Sequence, residues 1–507
     1  MDSIHAVRGA VINFLFILLS RVFGLLRDVL MVAFLGMGPV VGAFQIAWVI
    51  PNLFRRLFGE GAVSSAIQPA LARAAIEGGE EKAKQLFLGI QTTLFVFLLT
   101  FCGVAWLVVF FWPIDSNSQD QGWVRLFTLI LLPYLIPICM CALASAPQNL
   151  NRRFFWPAFA PLILNIIWIC ALWLFTRKIA EPELQLQYLC FALVFGGFIQ
   201  WKLQFFGLRK IGLYFGFFWK TEWIKQKQVF LAFLPAFIGL AGLQLNLLVD
   251  QFLVRELVGP EANNFTYLSN RLIQFPLALI GIAAMTGAMP LLSELAAKKD
   301  FKRMNLSLRS ANEACLTLML CALAGLYALS LPVLQLLFEH GAVTPKDSFR
   351  LTETLQAYLW ILPIAGWNGL LIRTYNAVGA YRFAMFTSLS VVPVNLFLDW
   401  LWLPQYGVPA AGWATTVSLA VQGVLLGLGL KKYKLKIPLT FSSLPSCIIP
   451  SIATYLVATY VFTVSNLFFA ILVGFLAAMS MIFLFRRADM TSLLHAVTNR
   501  YRNSKGG

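Results

Sequence analysis

Apolar stretches of about 20 to 29 residues alternate along the chain with short breaks rich in charge, glycine or proline. About 20 apolar residues suffice for a helix to cross the ~30 Å hydrocarbon core of a bilayer. The pattern predicts about fourteen such helices, over 9–34, 39–60, 84–112, 123–147, 157–176, 187–207, 229–256, 264–292, 310–338, 351–376, 383–403, 410–430, 444–464 and 466–485. Prolines fall inside many of them (Pro51, Pro137, Pro235, Pro276, Pro363, Pro393). In a bundle, neighbouring helices and cavities re-satisfy the backbone groups that proline frees. The fold class expected is an all-α polytopic membrane protein.

The pattern also looks duplicated. Span 2 runs into Gln68-Pro69-Ala70-Leu71-Ala72 and span 8 into Met289-Pro290-Leu291-Leu292-Ser293. Tyr134 and Pro137 in span 4 match Tyr358 and Pro363 in span 10, and Asn165 in span 5 matches Asn395 in span 11. Six helices per copy is an even number, so both copies insert in the same orientation, a parallel repeat about the membrane normal. Two pseudo-symmetric six-helix lobes are expected, 1–220 and 221–432. Residues 433–507 then add two C-terminal helices and a basic tail.

Composition agrees with a membrane location. Of 507 residues, 59% are hydrophobic and 12% charged, against ~25% charged in soluble domains. Mean hydropathy is +0.77. The net charge of +17 would suggest nucleic acid in a soluble protein; here its distribution gives topology instead. With a cytoplasmic N-terminus, the N-tail, the even-numbered connections and the C-tail hold 26 Lys and Arg. The odd connections hold four: Arg177, Lys178, Lys346 and Arg350. Positive charge marks the cytoplasmic side, so both termini are expected there. The first apolar run carries Arg21 and Arg27, which a cleavable signal would exclude, so the N-terminus is expected to be retained. All eight cysteines lie in apolar runs without zinc-like spacing and read as small hydrophobes.

The remaining basic residues lie in or at the ends of spans. An arginine at a helix centre costs roughly 2.5–3.5 kcal/mol on insertion scales, so several together need a reason. Arg56, Arg125, Lys202 and Arg255 are near enough to helix ends to snorkel. Arg21, Arg27, Arg55, Arg271 and Arg373 are not so easily dismissed. Span 1 places Asn13, Ser20, Arg21, Gly24, Arg27 and Asp28 within about 120° of arc. Span 2 groups Asn52, Arg55, Arg56 and Glu60; span 8 offers Asn270, Arg271 and Gln274; span 10 offers Asn368 and Arg373. Asp28 and Glu60 can neutralise only part of this charge. Buried arginine–carboxylate pairs would explain some of it. A central cationic chamber for an anionic substrate explains the surplus, since the planar guanidinium binds oxyanions bidentately.

A second group is oxygen-rich. Asn395 and Asp399 share a face of span 11 at i,i+4, and Asp250 in span 7 and Thr415 in span 12 lie at similar depth, in the outer half. Two carboxylates, an amide and a hydroxyl suit a hard cation, Na⁺, or proton coupling. The competing reading pairs Asp399 with a helix-end arginine such as Arg255.

These residues also carry a resemblance. The run from Ser20 to Asp28, with Arg21, Gly24 and Arg27, resembles the SRxxGxxRD opening of the MurJ (MviN) lipid II flippases, within the multidrug/oligosaccharidyl-lipid/polysaccharide exporter superfamily. Pro51 to Ala62 resembles that family's PNLxRRxFxEGA element; Asn151, Phe154, Pro157–Pro161 and Asn165 resemble its NxxFxxPAFAPxxxN stretch; Arg271–Pro276 is similar to its RLxxFP. The likeness covers spans 1–12. It implies fourteen helices, a cavity of alternating access between two lobes, and a groove for a polyprenyl tail along spans 13 and 14. It maps pyrophosphate-binding arginines onto Arg21, Arg27 and Arg271 with Arg55 nearby, a helix-2 glutamate onto Glu60, and a sodium site of some members onto Asp250, Asn395, Asp399 and Thr415. The chain departs from the family at Gly42, where some members carry a carboxylate, at Asn270, often an acid, and at Arg373, a lysine elsewhere.

The resemblance implies a non-enzymatic transporter in the bacterial inner membrane, acting in peptidoglycan synthesis on lipid II, without nucleic acid or a resident cofactor, and as a monomer among membrane lipids. One alternative is a related exporter of drugs or other undecaprenyl-linked oligosaccharides, which calls for a less cationic cavity. Another is an integral membrane transferase on lipid pyrophosphates, which needs clustered acids to hold Mg²⁺. The one acidic cluster, Glu77, Glu80 and Glu81, is interleaved with Lys82 and Lys84 and reads as a solvated loop. No P-loop or HExxH is present.

Overall fold

The computed structural model describes residues 2–58, 63–113, 119–218, 223–440 and 443–484. Every regular element among them is helical. The helices are α1 (Asp2–Leu35), α2 (Pro39–Leu57), α3 (Val63–Phe111), α4 (Gln119–Leu150), α5 (Phe155–Lys178), α6 (Pro182–Arg209), α7 (Trp223–Val258) and α8 (Ala262–Ala297). They continue with α9 (Phe301–Ala328), α10 (Pro345–Ala377), α11 (Tyr381–Tyr406), α12 (Pro409–Tyr433), α13 (Leu444–Val464) and α14 (Leu467–Leu484). Ten of these, α3–α6 and α9–α14, are long and apolar enough to cross a membrane. The chain is a multi-pass membrane protein. Most of the apolar runs expected from the sequence coincide with one of these helices to within a few residues. The run expected over 310–338 is instead divided between α9, which ends at Ala328, and a separate short helix, Ser330–Phe338, and α3 begins at Val63 rather than at 84. Glu60, Lys220 and the basic tail beyond Leu484 lie outside the described residues.

Local chemistry explains where helices break. Gly78 and Gly79 leave helical geometry inside α3, the latter at φ +74°, so residues 63–77 form a separate helix before the apolar run. The acids Glu77, Glu80 and Glu81 flank this break and are exposed, with Lys84 3.5 Å from Glu81. They are solvated helical turns rather than the loop expected. In α4, Pro133 lies in a 3₁₀ turn at Leu132–Tyr134, where the missing N–H loosens the ladder. The Leu132 carbonyl accepts from the Cys102 thiol at 3.5 Å.

Two compact units divide the chain: Met1–Asn264 with His340–Val343, and Phe265–Glu339 with Thr344 to the end. In the first, α1 packs on α5, α2 on α4, and α7 lies against α2 and α3. Its core is aromatic. Trp168 meets Phe44 and Trp48 edge-on at 5.6 and 5.0 Å, and Trp48 reaches Tyr134 at 5.3 Å. In lipid, helices gain little from hiding apolar surface from one another, so close packing and interhelical hydrogen bonds carry the cohesion. In the second unit α13 packs along α9, and α12 along α10 and α11.

Each unit builds its seams with the same parts. Tyr134 of α4 packs against Gly197 of α6, and Tyr358 of α10 against Gly412 of α12. An amide relay follows in both. Gln148 of α4 donates to Gln204 of α6 at 2.6 Å, and Gln204 donates to the Trp156 carbonyl of α5 at 3.2 Å. Asn368 of α10 donates to Gln422 of α12 at 2.9 Å, and Gln422 donates to Ser388 of α11 at 3.0 Å.

A methyl at Gly197 would meet the buried Tyr134 ring at 2.6 Å and Pro137 at 3.1 Å, both side chains; at Gly412 it would meet the Tyr358 ring at 2.7 Å and its backbone nitrogen at 2.8 Å. Overpacking costs about 1–3 kcal/mol, against about 1 kcal/mol of helix propensity gained by Gly→Ala. Both Gly→Ala changes are therefore expected to lower the thermal unfolding midpoint in detergent, and Gly412→Ala by more, since the Tyr358 backbone cannot give way as a side chain can. Equal midpoints for the two variants would contradict this account.

Candidate functional site

The polar stripe of α1 meets α5. Arg27 is buried, with 8% of its surface exposed, and its Nε and Nη2 both donate to Asp28 Oδ1, at 2.9 and 2.6 Å. Its Nη1 donates to Asn165 Oδ1 at 3.2 Å, and its guanidinium lies 4.1 Å from the Trp168 ring centre. Asn165 Nδ2 turns back to donate to the Ser20 carbonyl at 3.0 Å. One asparagine thus bridges two turns of α1, and Trp168, three residues on, supplies a cation–π face worth up to ~2 kcal/mol when desolvated. Arg21 is half-buried and makes no hydrogen bond or ion pair among the described residues.

On α2, Arg55 directs Nε and Nη2 to Asn52 Oδ1 at 3.1 and 2.8 Å, one turn earlier. Arg55 and Arg56 are both half-buried. Glu60, expected beside them, lies outside the described residues. Gly42, where some family members carry a carboxylate, has no room for a side chain: the Pro260 carbonyl and Asn263 stand where a Cβ would go. Asn263 Nδ2 donates to the Gly42 carbonyl at 2.9 Å, and Asn264 Nδ2 to those of Met37 and Gly38 at 2.8 and 3.1 Å. A backbone seam stands where an acid would otherwise be.

In the second unit Arg271 on α8 and Arg373 on α10 are half-buried, and Asn270 and Gln274 flank Arg271. Arg373 makes no hydrogen bond or ion pair among the described residues. Asn368, expected on the polar face with Arg373, instead faces α12, donating to the Leu419 carbonyl at 2.8 Å as well as to Gln422.

The oxygen-rich group of this unit is tightly assembled. Asn395 and Asp399 are fully buried, and Asn395 Nδ2 donates to Asp399 Oδ2 at 2.8 Å. Ser418 Oγ reaches Asn395 Oδ1 at 3.1 Å and the Thr415 carbonyl at 3.0 Å. Ser418 was missed by sequence reasoning, although i,i+3 spacing from Thr415 puts it on the same helix face. Asp250 is buried in α7 of the first unit. Arg255, five residues on, forms an ion pair with Asp120 at the start of α4 and donates to the Pro260 carbonyl at 3.0 Å. It is 6% exposed, so burial and an acid partner replace the snorkelling expected of it. Among the described residues no three His, Cys, Asp or Glu side chains converge as a metal-binding group. The Asn395 group is instead an amide, a carboxylate and hydroxyl or carbonyl oxygens.

The chain is similar to known proteins over most of its length. It is 29% identical over 438 residues to a probable lipid II flippase MurJ of Vibrio cholerae, covering 82% of this chain and 80% of that one. With the lipid II flippase MurJ of Burkholderia cenocepacia it shares 27% identity, covering 82% of each chain. A solved structure of lipid II flippase MurJ in an inward closed conformation superposes with a TM-score of 0.79 at 23% identity, covering 96% of this chain and 100% of that one. An inward-facing multidrug resistance MATE family transporter of the MOP superfamily gives 0.66 at 11% identity, covering 84% and 99%. These two structures establish the fold. The family model described as lipid II flippase MurJ matches residues 31–486, and the chain therefore belongs to the MurJ lipid II flippase family.

Proposed function

We propose that this protein moves lipid II, an undecaprenyl-pyrophosphate-linked sugar peptide, from the inner to the outer leaflet of the bacterial cytoplasmic membrane. The observation that carries the reading is the family match over residues 31–486. The cationic side chains in the spans supply the matching chemistry. Arg21, Arg27 and Arg55 of the first unit and Arg271 and Arg373 of the second are the groups assigned to the pyrophosphate and sugar head, with Asp28, Asn52 and Glu60 as their polar and ionic gating partners. Arg21 and Arg373, without hydrogen bonds or ion pairs among the described residues, are the most available for an incoming anion. Arg27 would exchange part of its bond to Asp28 for phosphate.

Transport by alternating access fits this family, and no reaction on the substrate is required. Fourteen spans with both termini cytoplasmic follow from the 26-to-4 charge distribution, and the protein is proposed to act as a monomer. Uphill movement would draw on an ion gradient or the membrane potential. For an ion, Asn395, Asp399 and Thr415, joined by Ser418, form the ligand group favoured, with Na⁺ as the hard cation. Asp250 is a further carboxylate by residue type. A cation would neutralise the buried Asp399 carboxylate and bias the conformational equilibrium by its differential affinity for the two states.

Four experiments test these readings. Depletion in cells is expected to accumulate lipid-linked peptidoglycan precursor on the inner leaflet; unchanged distribution would overturn the function. The Arg21→Ala/Arg27→Ala/Arg271→Ala variant is expected to fail in complementation. Each single change removes a charge-assisted bond of about 1.5–3 kcal/mol, or about 10–100-fold in binding, with only partial rescue by lysine. Full complementation by the triple variant would sink the arginine assignment. A reporter fused after Lys432 is expected to be active in the cytoplasm; periplasmic activity would refute the topology. Asp399→Asn is expected to abolish any Na⁺-dependent change in conformation or transport, and an unaltered Na⁺ response would remove this group as the site.

A further inference from the structure

On the first unit, α3, α4 and α6 leave a groove of about 580 Å³ that is open rather than enclosed. Trp106, Ile130, Pro133, Phe191, Phe195 and Phe198 line it, and no charged side chain does. Trp106, Phe191, Phe195 and Phe198 are among the large apolar residues left exposed, Phe195 at 66%. The groove arises from the sequence. Pro133 sits at the 3₁₀ turn of α4, and the close approach of Gly197 to Tyr134 lets α6 pack while its phenylalanines flank the gap. All three helices are long and apolar enough to cross a membrane, so the groove opens toward hydrocarbon.

Its depth and its charged edge define an occupant. Along α4 and α6 the lining runs from Leu126 to Pro133 and from Phe191 to Phe198, each eight residues and a rise of about 10 Å. One leaflet of a ~30 Å core is about 15 Å deep, so the groove spans most of one leaflet. Arg125 lies just beyond it, adjacent to Leu126 and on the same helix face as Leu129, both lining residues. Centring the 32-residue α4 (about 48 Å) on that core puts Arg125 at its boundary, the depth of lipid phosphates. Arg125 is half-buried and makes no hydrogen bond or ion pair among the described residues. Glu183, on α6, lies about 12 Å nearer the helix start than Phe191, toward water.

We propose that this groove is a binding site for an anionic phospholipid of the bilayer, one acyl chain lying along Phe191, Phe195 and Phe198 and the phosphate held by Arg125. In the orientation proposed above the lipid belongs to the outer leaflet. The site is separate from the arginines assigned to the transported head group, and binding can be measured without transport.

The test uses the full chain in detergent, titrated with phosphatidylglycerol or phosphatidylcholine of identical acyl chains and read by native mass spectrometry. A basic side chain near a membrane surface favours an anionic lipid about fivefold. Phosphatidylglycerol is expected to be retained about fivefold more than phosphatidylcholine, and Arg125→Gln to remove that preference. Val194→Trp, which fills the groove, is expected to reduce retention of both lipids while leaving Arg125 in place. Equal retention of the two lipids by the unaltered protein, or a preference that survives Arg125→Gln, would overturn the proposal. So would undiminished retention by a folded Val194→Trp variant. A failure of lipid II transport in cells would leave these binding ratios unmoved, so the two readings fail separately.

Discussion

A polar side chain inside a helical bundle in lipid has no water to turn to, and the arrangement of this protein follows from that constraint. A buried amide, hydroxyl or guanidinium must find its partner in the protein, on its own helix or on a neighbouring one, and the partners on neighbours then dictate which helices lie together. The relay from α4 through α6 to α5, Gln148 to Gln204 to the Trp156 carbonyl, ties three helices with two hydrogen bonds. Asn368, Gln422 and Ser388 do the same for α10, α12 and α11. Glycine at the crossing point admits a tyrosine in both cases. The seam is therefore specified by polar bonds and close approach together, as expected where hydrophobic association is weak.

Charged groups obey the same rule at higher stakes. Arg27 is tolerated in α1 because Asp28, Asn165 and Trp168 surround it, and Arg255 because Asp120 and the Pro260 carbonyl do. Removing one partner of such a pair strands the other in a poor solvent, at a cost of about 3–5 kcal/mol. Asn165 and Asn395 occupy matching places in the duplicated pattern yet serve different neighbours. The first accepts from an arginine and the second donates to an aspartate. The same amide meets a cation in one unit and an anion in the other, since it can act as acceptor or donor.

Most of the helices were legible in the sequence because an apolar run long enough to span is a strong, one-dimensional signal. The Tyr134 and Tyr358 correspondence was legible too, whereas Gly197 and Gly412 were not: a glycine within an apolar run gives no sign of what it faces. Ser418 could have been found from its spacing to Thr415. The fate of Arg255 could not, since its partner Asp120 is 135 positions away and nothing local links the two. Asn368 shares a span with Arg373, yet it turns to α12. Helical spacing tells which residues share a face, but not which neighbour that face meets. The Glu77–Glu81 cluster shows the reverse case: its charges read as a solvated loop, yet helix runs up to the break at Gly78–Gly79 and resumes beyond it.

The amide relays carry no net charge. A voltage across the membrane does work on a displaced charge, about 2.3 kcal/mol per elementary charge per 100 mV, and none on the net charge of a glutamine–glutamine or asparagine–glutamine bond. The seams inside each unit therefore hold equally well in an energised and a de-energised cell, and at any pH the cytoplasm reaches. Electrical force enters instead through charged side chains such as Arg21 and Arg373, which ride on helices those neutral bonds keep intact.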